Sequence, residues 1–163
     1  MQQYYIGIDN GLNGGITILD TGANIVLCTV MPIIGKTKKD YDIIAINNLL
    51  QPYVNNSITY LEKAQPHFRD GKKQSFKTGY GYGIMLALLT ANKMSHQIVA
   101  PKQWQRKVFS GLSSSDTKLA SAQFCQRKWP KQDWTATKRC TKLHDGMTDS
   151  ACIAYYAFYE DNK

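Results

Sequence analysis

Four acidic residues, Asp9, Glu62, Asp145 and Asp149, carry the clearest chemical potential in this chain. Asp9 closes the apolar run Tyr4-Tyr5-Ile6-Gly7-Ile8 and opens the glycine-rich stretch at 10–15. Asp is disfavoured inside strands, and a buried carboxylate without a partner is costly. A metal ion is one candidate to meet it; the other reading is an Asp that simply opens a turn. Glu62 stands near the end of a second apolar run, residues 57–63. Asp145 and Asp149 are four apart, the spacing that makes neighbours on one helical face. Their repulsion is offset in part by the helix N-terminus, and a divalent cation could offset the rest. The alternative is that Asp145 caps the helix while Asp149 is solvated, but small and apolar residues, Ser150 to Ala154, follow Asp149 directly. Hard oxygen ligands of this kind suit Mg2+, with Mn2+ as a substitute. Two such ions about 3.5–4 Å apart can hydrolyse a phosphodiester.

The elements that must position these acids can be read from periodicity. Residues 4–9, 16–20 and 25–30 predict three antiparallel strands joined by turns, with a loop at 32–39. A helix capped by Asp40 or Asp42 follows, with Ile43, Ile44, Ile46, Leu49 and Leu50 as its apolar face. Residues 57–63 predict the fourth strand, 67–77 a basic and aromatic loop, and 79–93 a helix. A fifth strand at 96–100 leads to a helix opened by Pro101, then one capped by Asp116 or Ser115. A basic loop at 130–142 precedes a last helix over 143–159. The expected architecture is α/β: a mixed five-stranded sheet, three antiparallel strands plus two parallel, flanked by helices on both faces. Residues 1–163 are expected to form a single domain.

Charge points to the partner. Residues 63–142 hold 16 Lys and Arg against 3 Asp and Glu, while the flanks hold 4 against 9. So uneven a belt implies a polyanion, most often nucleic acid. No apolar run approaches a membrane span, and no signal peptide is expected ahead of the first strand. Cys28, Cys125, Cys140 and Cys152 form no paired motif, so reduced thiols are expected; Cys140 with His144 would need two further ligands to hold zinc.

Several stretches together resemble the RuvC-type Holliday-junction resolvases, nearest their phage-like and organellar branch. They are Ile6-Gly7-Ile8-Asp9, residues 58–65, the glycine-rich 76–83, Ala100-Pro101-Lys102-Gln103-Trp104, Asp116-Thr117-Lys118 and residues 144–151. They span nearly the whole chain in the family's order. The resemblance implies a ribonuclease-H-like fold, a homodimer, and magnesium-dependent paired nicking of four-way DNA. By position it makes Asp9, Glu62, Asp145 and Asp149 the metal-binding acids, with two ions per site, and Lys118 the active-site lysine. Ser150 stands where the family more often has Ala. The last two acids are four apart, as in the phage-like branch, rather than three as in bacterial housekeeping members. His144 is a candidate to act in place of Asp145 or beside it.

Arg69, Lys72, Lys73, Lys77 and Lys102 are the expected phosphate contacts. Phe68 is the preferred aromatic wedge for an open junction, while Phe76 is expected in the core. The helix at 79–93 has more apolar residues than one buried face needs, which makes it the expected dimer surface. A homodimer, branched DNA, no membrane and no nucleotide cofactor complete the expectation. The setting is expected to be cytoplasmic and nucleoid-associated, in a bacterium or phage-infected host, with an organellar origin open. The rivals are a hybrid-cleaving ribonuclease H and a non-catalytic junction-binding architectural protein. An actin-like ATPase also opens with strand, Asp and glycine-rich hairpin, but it needs a second lobe for which this length leaves no room.

Overall fold

The computed structural model describes residues 3–65, 71–112 and 116–163. Its strands are β1 (Tyr4–Asp9), β2 (Gly15–Leu19), β3 (Ile25–Val30), β4 (Ile33–Ile34), β5 (Asp40–Tyr41), β6 (Ser57–Glu62) and β7 (Ser95–Val99). Its helices are α1 (Ile43–Leu50), α2 (Lys72–Ala91), α3 (Pro101–Val108), α4 (Thr117–Lys128) and α5 (Asp145–Asp161). The main sheet runs β3-β2-β1-β6-β7. β1, β2 and β3 pair antiparallel, whereas β6 lies parallel to both β1 and β7. This is the mixed sheet that the alternation of apolar residues implied.

Strand periodicity decides where the acids go, because alternate residues face opposite sides of the sheet. Ile6 and Ile8 of β1, with Leu61 of β6, pack with Ile46, Leu50, Met85 and Leu89 of α1 and α2. Tyr5 and Tyr60 pack with Trp104, Cys125, Ala151 and Ala154 on the opposite face, under α3, α4 and α5. Counting on by twos, Asp9 and Glu62 fall on that second face, at the carboxyl ends of adjacent parallel strands. The register pairs Ile8 with Leu61, so the two acids follow side by side.

Helix α5 crosses this face at very short range. A Cβ on Gly7 would collide with the backbone of Ser150 and Ala154, and one on Gly146 with the backbone of Asn13 and Gly14. Only glycine permits this approach, which sets the first turns of α5 beside the end of β1. Thr17 and Ser150 share a buried hydroxyl hydrogen bond of 2.9 Å at the same contact. Ser150 thus gives the buried Thr17 hydroxyl a second partner beside Cys28 Sγ, 3.3 Å away.

Four expectations need correction. The stretch at 32–39 is not wholly loop: β4 and β5 pair as a small hairpin, Ile33 opposite Tyr41, turning through Gly35 at φ +85°. α1 begins after Asp42, whose side chain accepts from Ala45 N–H at 2.9 Å, but Ile43 and Ile44 are exposed; Ile46 and Leu50 make the buried face. α2 starts at Lys72, so Lys72, Lys73, Phe76 and Lys77 are helical rather than looped. Phe76 is 74% exposed and is not a core residue. Phe68, Arg69 and the N-terminal part of the expected basic loop lie outside the described residues. Among those described, no helix is long and apolar enough to cross a membrane.

Candidate active site

A cleft of about 490 Å³ opens at the carboxyl end of β1. Asp9, the turn Asn10–Gly14, Lys77 of α2, Lys118 of α4 and Asp145 and Asp149 of α5 line it. Elements from far apart in the chain therefore bring three of the four acids and the lysine to one place. Glu62 sits beside Asp9 and is held from behind: Trp104 Nε1–H donates to its Oε1 at 2.8 Å. Lys72, Lys73 and Lys102 are exposed but do not line the cleft.

Burial and crowding mark these carboxyls as unusual. Burial pushes Asp9 up to about 6, with Asp145 adding to the rise and the Gly11 N–H, 3.3 Å from Oδ1, opposing it. Burial raises Glu62 to about 8, reinforced by the charges of Asp9 and Asp149 and opposed by the indole of Trp104. Burial raises Asp149 to about 7, where Asp9 and Asp145 add and a hydrogen bond from Ser121 and the charge of Lys118 subtract. Each acid thus feels at least one other, as expected of groups that share one field.

Lys118 Nζ meets Asp145 Oδ2 at 2.9 Å, and this partnership raises the ammonium pKa. Asp116 positions the lysine by capping α4 through Lys118 N–H at 2.9 Å. His144 caps α5: its Nδ1 accepts from Met147 N–H at 3.3 Å, and burial holds its pKa below the usual value. That bond occupies Nδ1 and leaves Nε2 as its remaining ring nitrogen.

Donor chemistry decides whether a divalent ion fits. All four acids offer hard oxygens, and their mutual repulsion is what a cation relieves. Among the described residues, no three Asp, Glu, His or Cys side chains converge closely enough to share one ion. Magnesium does not require that: it is commonly held by one or two carboxylates with water and substrate phosphate completing its shell. The hard oxygens of Asp9, Glu62 and Asp149, whose charges act on one another, have the donor chemistry that such an ion requires, while Asp145 pairs with Lys118.

Sequence reasoning missed the residues that brace the acids. Tyr41 O–H donates to Asn10 O at 2.8 Å, and Asn10 Nδ2 donates to Glu62 O at 2.6 Å. Gly81 of α2 leaves room for this chain, since a Cβ there would collide with the Tyr41 hydroxyl. Together with Trp104 these contacts tie the ends of β1 and β6. Trp104 is 1% exposed and packs edge-on against Phe109 at 5.4 Å, so periodicity alone reads it as core. Trp104→Phe keeps most of that packing but removes the donor. It is expected to weaken Mn2+ binding to the free protein, measured calorimetrically, while costing about 1–2 kcal/mol in stability.

No protein-family model and no curated protein sequence matches the chain. Solved structures do. A Thermus thermophilus RuvC structure matches at a TM-score of 0.59 and 14% identity, covering 98% of this chain and 96% of that one. T. thermophilus RuvC in complex with Holliday junction substrate matches at a TM-score of 0.58 and 13% identity, with the same coverage. From end to end, then, the chain has the ribonuclease-H-like fold of RuvC.

Proposed function

We propose that this protein is a structure-selective endodeoxyribonuclease that resolves four-way DNA junctions by paired, metal-dependent phosphodiester hydrolysis. The observation that carries the reading is the set of buried, mutually perturbed acids at one cleft, on a RuvC fold, with Lys77 and Lys118 at its walls. When bound, two magnesium ions would supply Lewis-acid charge and a more acidic attacking water. The chain's own part is to hold Asp9, Glu62 and Asp149 rigidly, to exclude bulk water from behind Glu62 with Trp104, and to place an ammonium at the cleft mouth. A labelled four-way junction incubated with protein and Mg2+, beside linear duplex and RNA–DNA hybrid, tests this. Selective junction cleavage supports it; preferential hybrid cleavage would make the protein a ribonuclease H.

DNA contact is supported by the start of α2. Gly71 provides no side-chain cap, and the first turn carries Lys72 and Lys73 with no acid. Two ammonium groups at a positive helix end repel the dipole, a cost that a phosphate there would relieve. Replacing Lys72 and Lys73 together with Ala is expected to weaken junction and duplex binding alike. The slope of log affinity against log salt should fall by up to about two phosphate contacts.

A homodimer supplies the two active sites that paired nicking requires. The outward face of α2 supports this assignment. A Cβ on Gly79 or Gly83 would meet nothing within 4 Å among the described residues. Each glycine costs a helix about 1 kcal/mol relative to Ala, with no packing gain against those residues. Close approach by a second helix would give that gain. Gly83→Lys is expected to convert the dimer to a monomer in sedimentation equilibrium without lowering the monomer's own stability. A wild-type protein that sediments as a monomer at micromolar concentration yet nicks both strands in concert would overturn the assignment.

A further inference from the structure

A second cavity, of about 260 Å³, adjoins the acid cleft: Asn13 and Asp145 line both. Its other walls are Ala136, Cys140 and Lys142 of the loop at 130–142, with Leu143 and His144 just ahead of α5. That loop is held in place. Leu143 bridges to Thr135, His144 N–H donates to Trp134 O at 2.8 Å, and Trp134 is buried. Asp133 accepts from Thr135 N–H at 2.9 Å, and Cys140 N–H donates to Thr137 O at 2.9 Å. On the opposite rim the Asn13 backbone rests on Gly146, where a Cβ would collide. The cavity is therefore preformed, and it sits beside the place where a phosphodiester would be cut.

The lining sorts the ligand. Cys140, His144 and Asp145 are all metal-ligand types, but among the described residues no three such side chains converge on one ion. A zinc ion is therefore a poor fit. The walls are otherwise apolar, through Ala136 and Leu143, or hydrogen-bonding. His144 Nδ1 accepts from Met147 N–H at 3.3 Å, and a neutral ring that accepts at Nδ1 carries its proton on Nε2. Lys142 is exposed and forms no ion pair among the described residues. The one carboxylate, Asp145, is already engaged by Lys118 at 2.9 Å. Donors thus prevail over acceptors, on walls that suit a flat and partly apolar ring.

We propose that this cavity receives the nucleobase next to the cleaved phosphate and prefers one with a ring carbonyl, guanine or thymine, over adenine or cytosine. The inference rests on the nuclease reading of the neighbouring cleft and adds a sequence preference to it. Guanine O6 and thymine O4 accept hydrogen bonds where adenine and cytosine carry an amino donor. Against His144 Nε2–H and the Lys142 ammonium, an amino group sets donor against donor and leaves both unsatisfied. The Asn13 amide both donates and accepts, so it admits either class and does not discriminate. A base must leave its stack to enter a cavity, which costs least where pairing is already broken, as beside a branch point.

The test is cleavage of a pool of four-way junctions with randomised nucleotides around the branch point, followed by sequencing of the cut ends. At one position beside the cleaved bond, the wild-type protein is expected to cut junctions with guanine or thymine about 10-fold faster than those with adenine or cytosine. His144→Asn keeps a side-chain oxygen to cap α5 but removes the Nε2 donor, and should bring that ratio close to one. Ala136→Leu, which narrows the cavity and lies outside the acid cleft, should do the same. Damage to the fold or to the acids would lower the rates on all four bases together, so the ratio separates recognition from structure. Equal cutting with all four bases, or an unchanged ratio in either variant, overturns the proposal and leaves the nuclease reading standing. A protein that nicks nothing refutes the nuclease reading, and the cavity then stands or falls by the same preference in competition binding of the junctions in EDTA.

Discussion

Asp149→Asn is expected to abolish junction nicking, by about 10³-fold or more, while junction binding survives or tightens. A carboxylate that helps to hold a catalytic cation contributes several kcal/mol of transition-state charge stabilisation, and each 1.36 kcal/mol is tenfold in rate. Asn keeps the size and the ability to accept from Ser121, so the fold should not suffer. Binding should not suffer either, because removing a negative charge from a cleft that receives phosphate lowers repulsion. The same argument applies to Asp9→Asn. Full activity in either variant would remove that residue from the site.

Stability should move in the opposite direction to activity. Burial raises Asp9 to about 6, Asp149 to about 7 and Glu62 to about 8, against about 4 in the unfolded chain. The folded, metal-free protein therefore holds protons that the unfolded chain has released. Their contribution is fully present below about pH 4 and is lost as pH rises through the range of the folded values, 6 to 8. Asp149→Asn removes one of these groups, so its melting temperature at pH 8 should exceed the wild type's, with a shallower decline from acid pH. Magnesium should raise the wild-type value at pH 8 more than at pH 5, since only ionised carboxylates bind it.

Lys118→Ala is the second substitution with a large expected effect. The lysine side chain is 71% exposed and its ammonium rests on Asp145 Oδ2, so as a surface ion pair it stabilises the fold little. Its place on the cleft wall with Asp9 and Asp149 gives it a different use. An ammonium there can meet negative charge that grows on a phosphate during hydrolysis, an effect commonly worth about 10²–10³-fold in rate. The variant is expected to lose cleavage rate by that order while junction affinity changes only several-fold. Equal losses in rate and affinity would instead make Lys118 a phosphate-positioning contact.

How much of this was legible beforehand follows from which physical signals are local. Strands β1, β2, β3, β6 and β7 announce themselves through apolar alternation bounded by turn residues, and that alternation fixes the faces of Asp9 and Glu62. The pair Asp145 and Asp149 follows from helical spacing. The start of α2 does not, because its first two turns expose nearly every side chain, and an exposed helix leaves no apolar period to read. The same exposure explains why Phe76 was misplaced: hydrophobicity says that a ring prefers burial, not that a neighbour exists to bury it. Two-residue strands such as β4 and β5 are shorter than any period. The bond from Trp104 to Glu62 links residues 42 apart in the chain; its only sequence signal is that α3 follows the strand next to β6.

Paired cleavage by two such clefts can be tested on a supercoiled plasmid that extrudes a cruciform, incubated with the protein and Mg2+ and sampled through time. A junction resolvase cuts two symmetrically related strands within one binding event. Linear plasmid should therefore appear from the start without a prior build-up of nicked circle, and a plasmid lacking the cruciform should stay supercoiled. Accumulation of nicked circles alone, equal cutting of both plasmids, or an intact cruciform would contradict it.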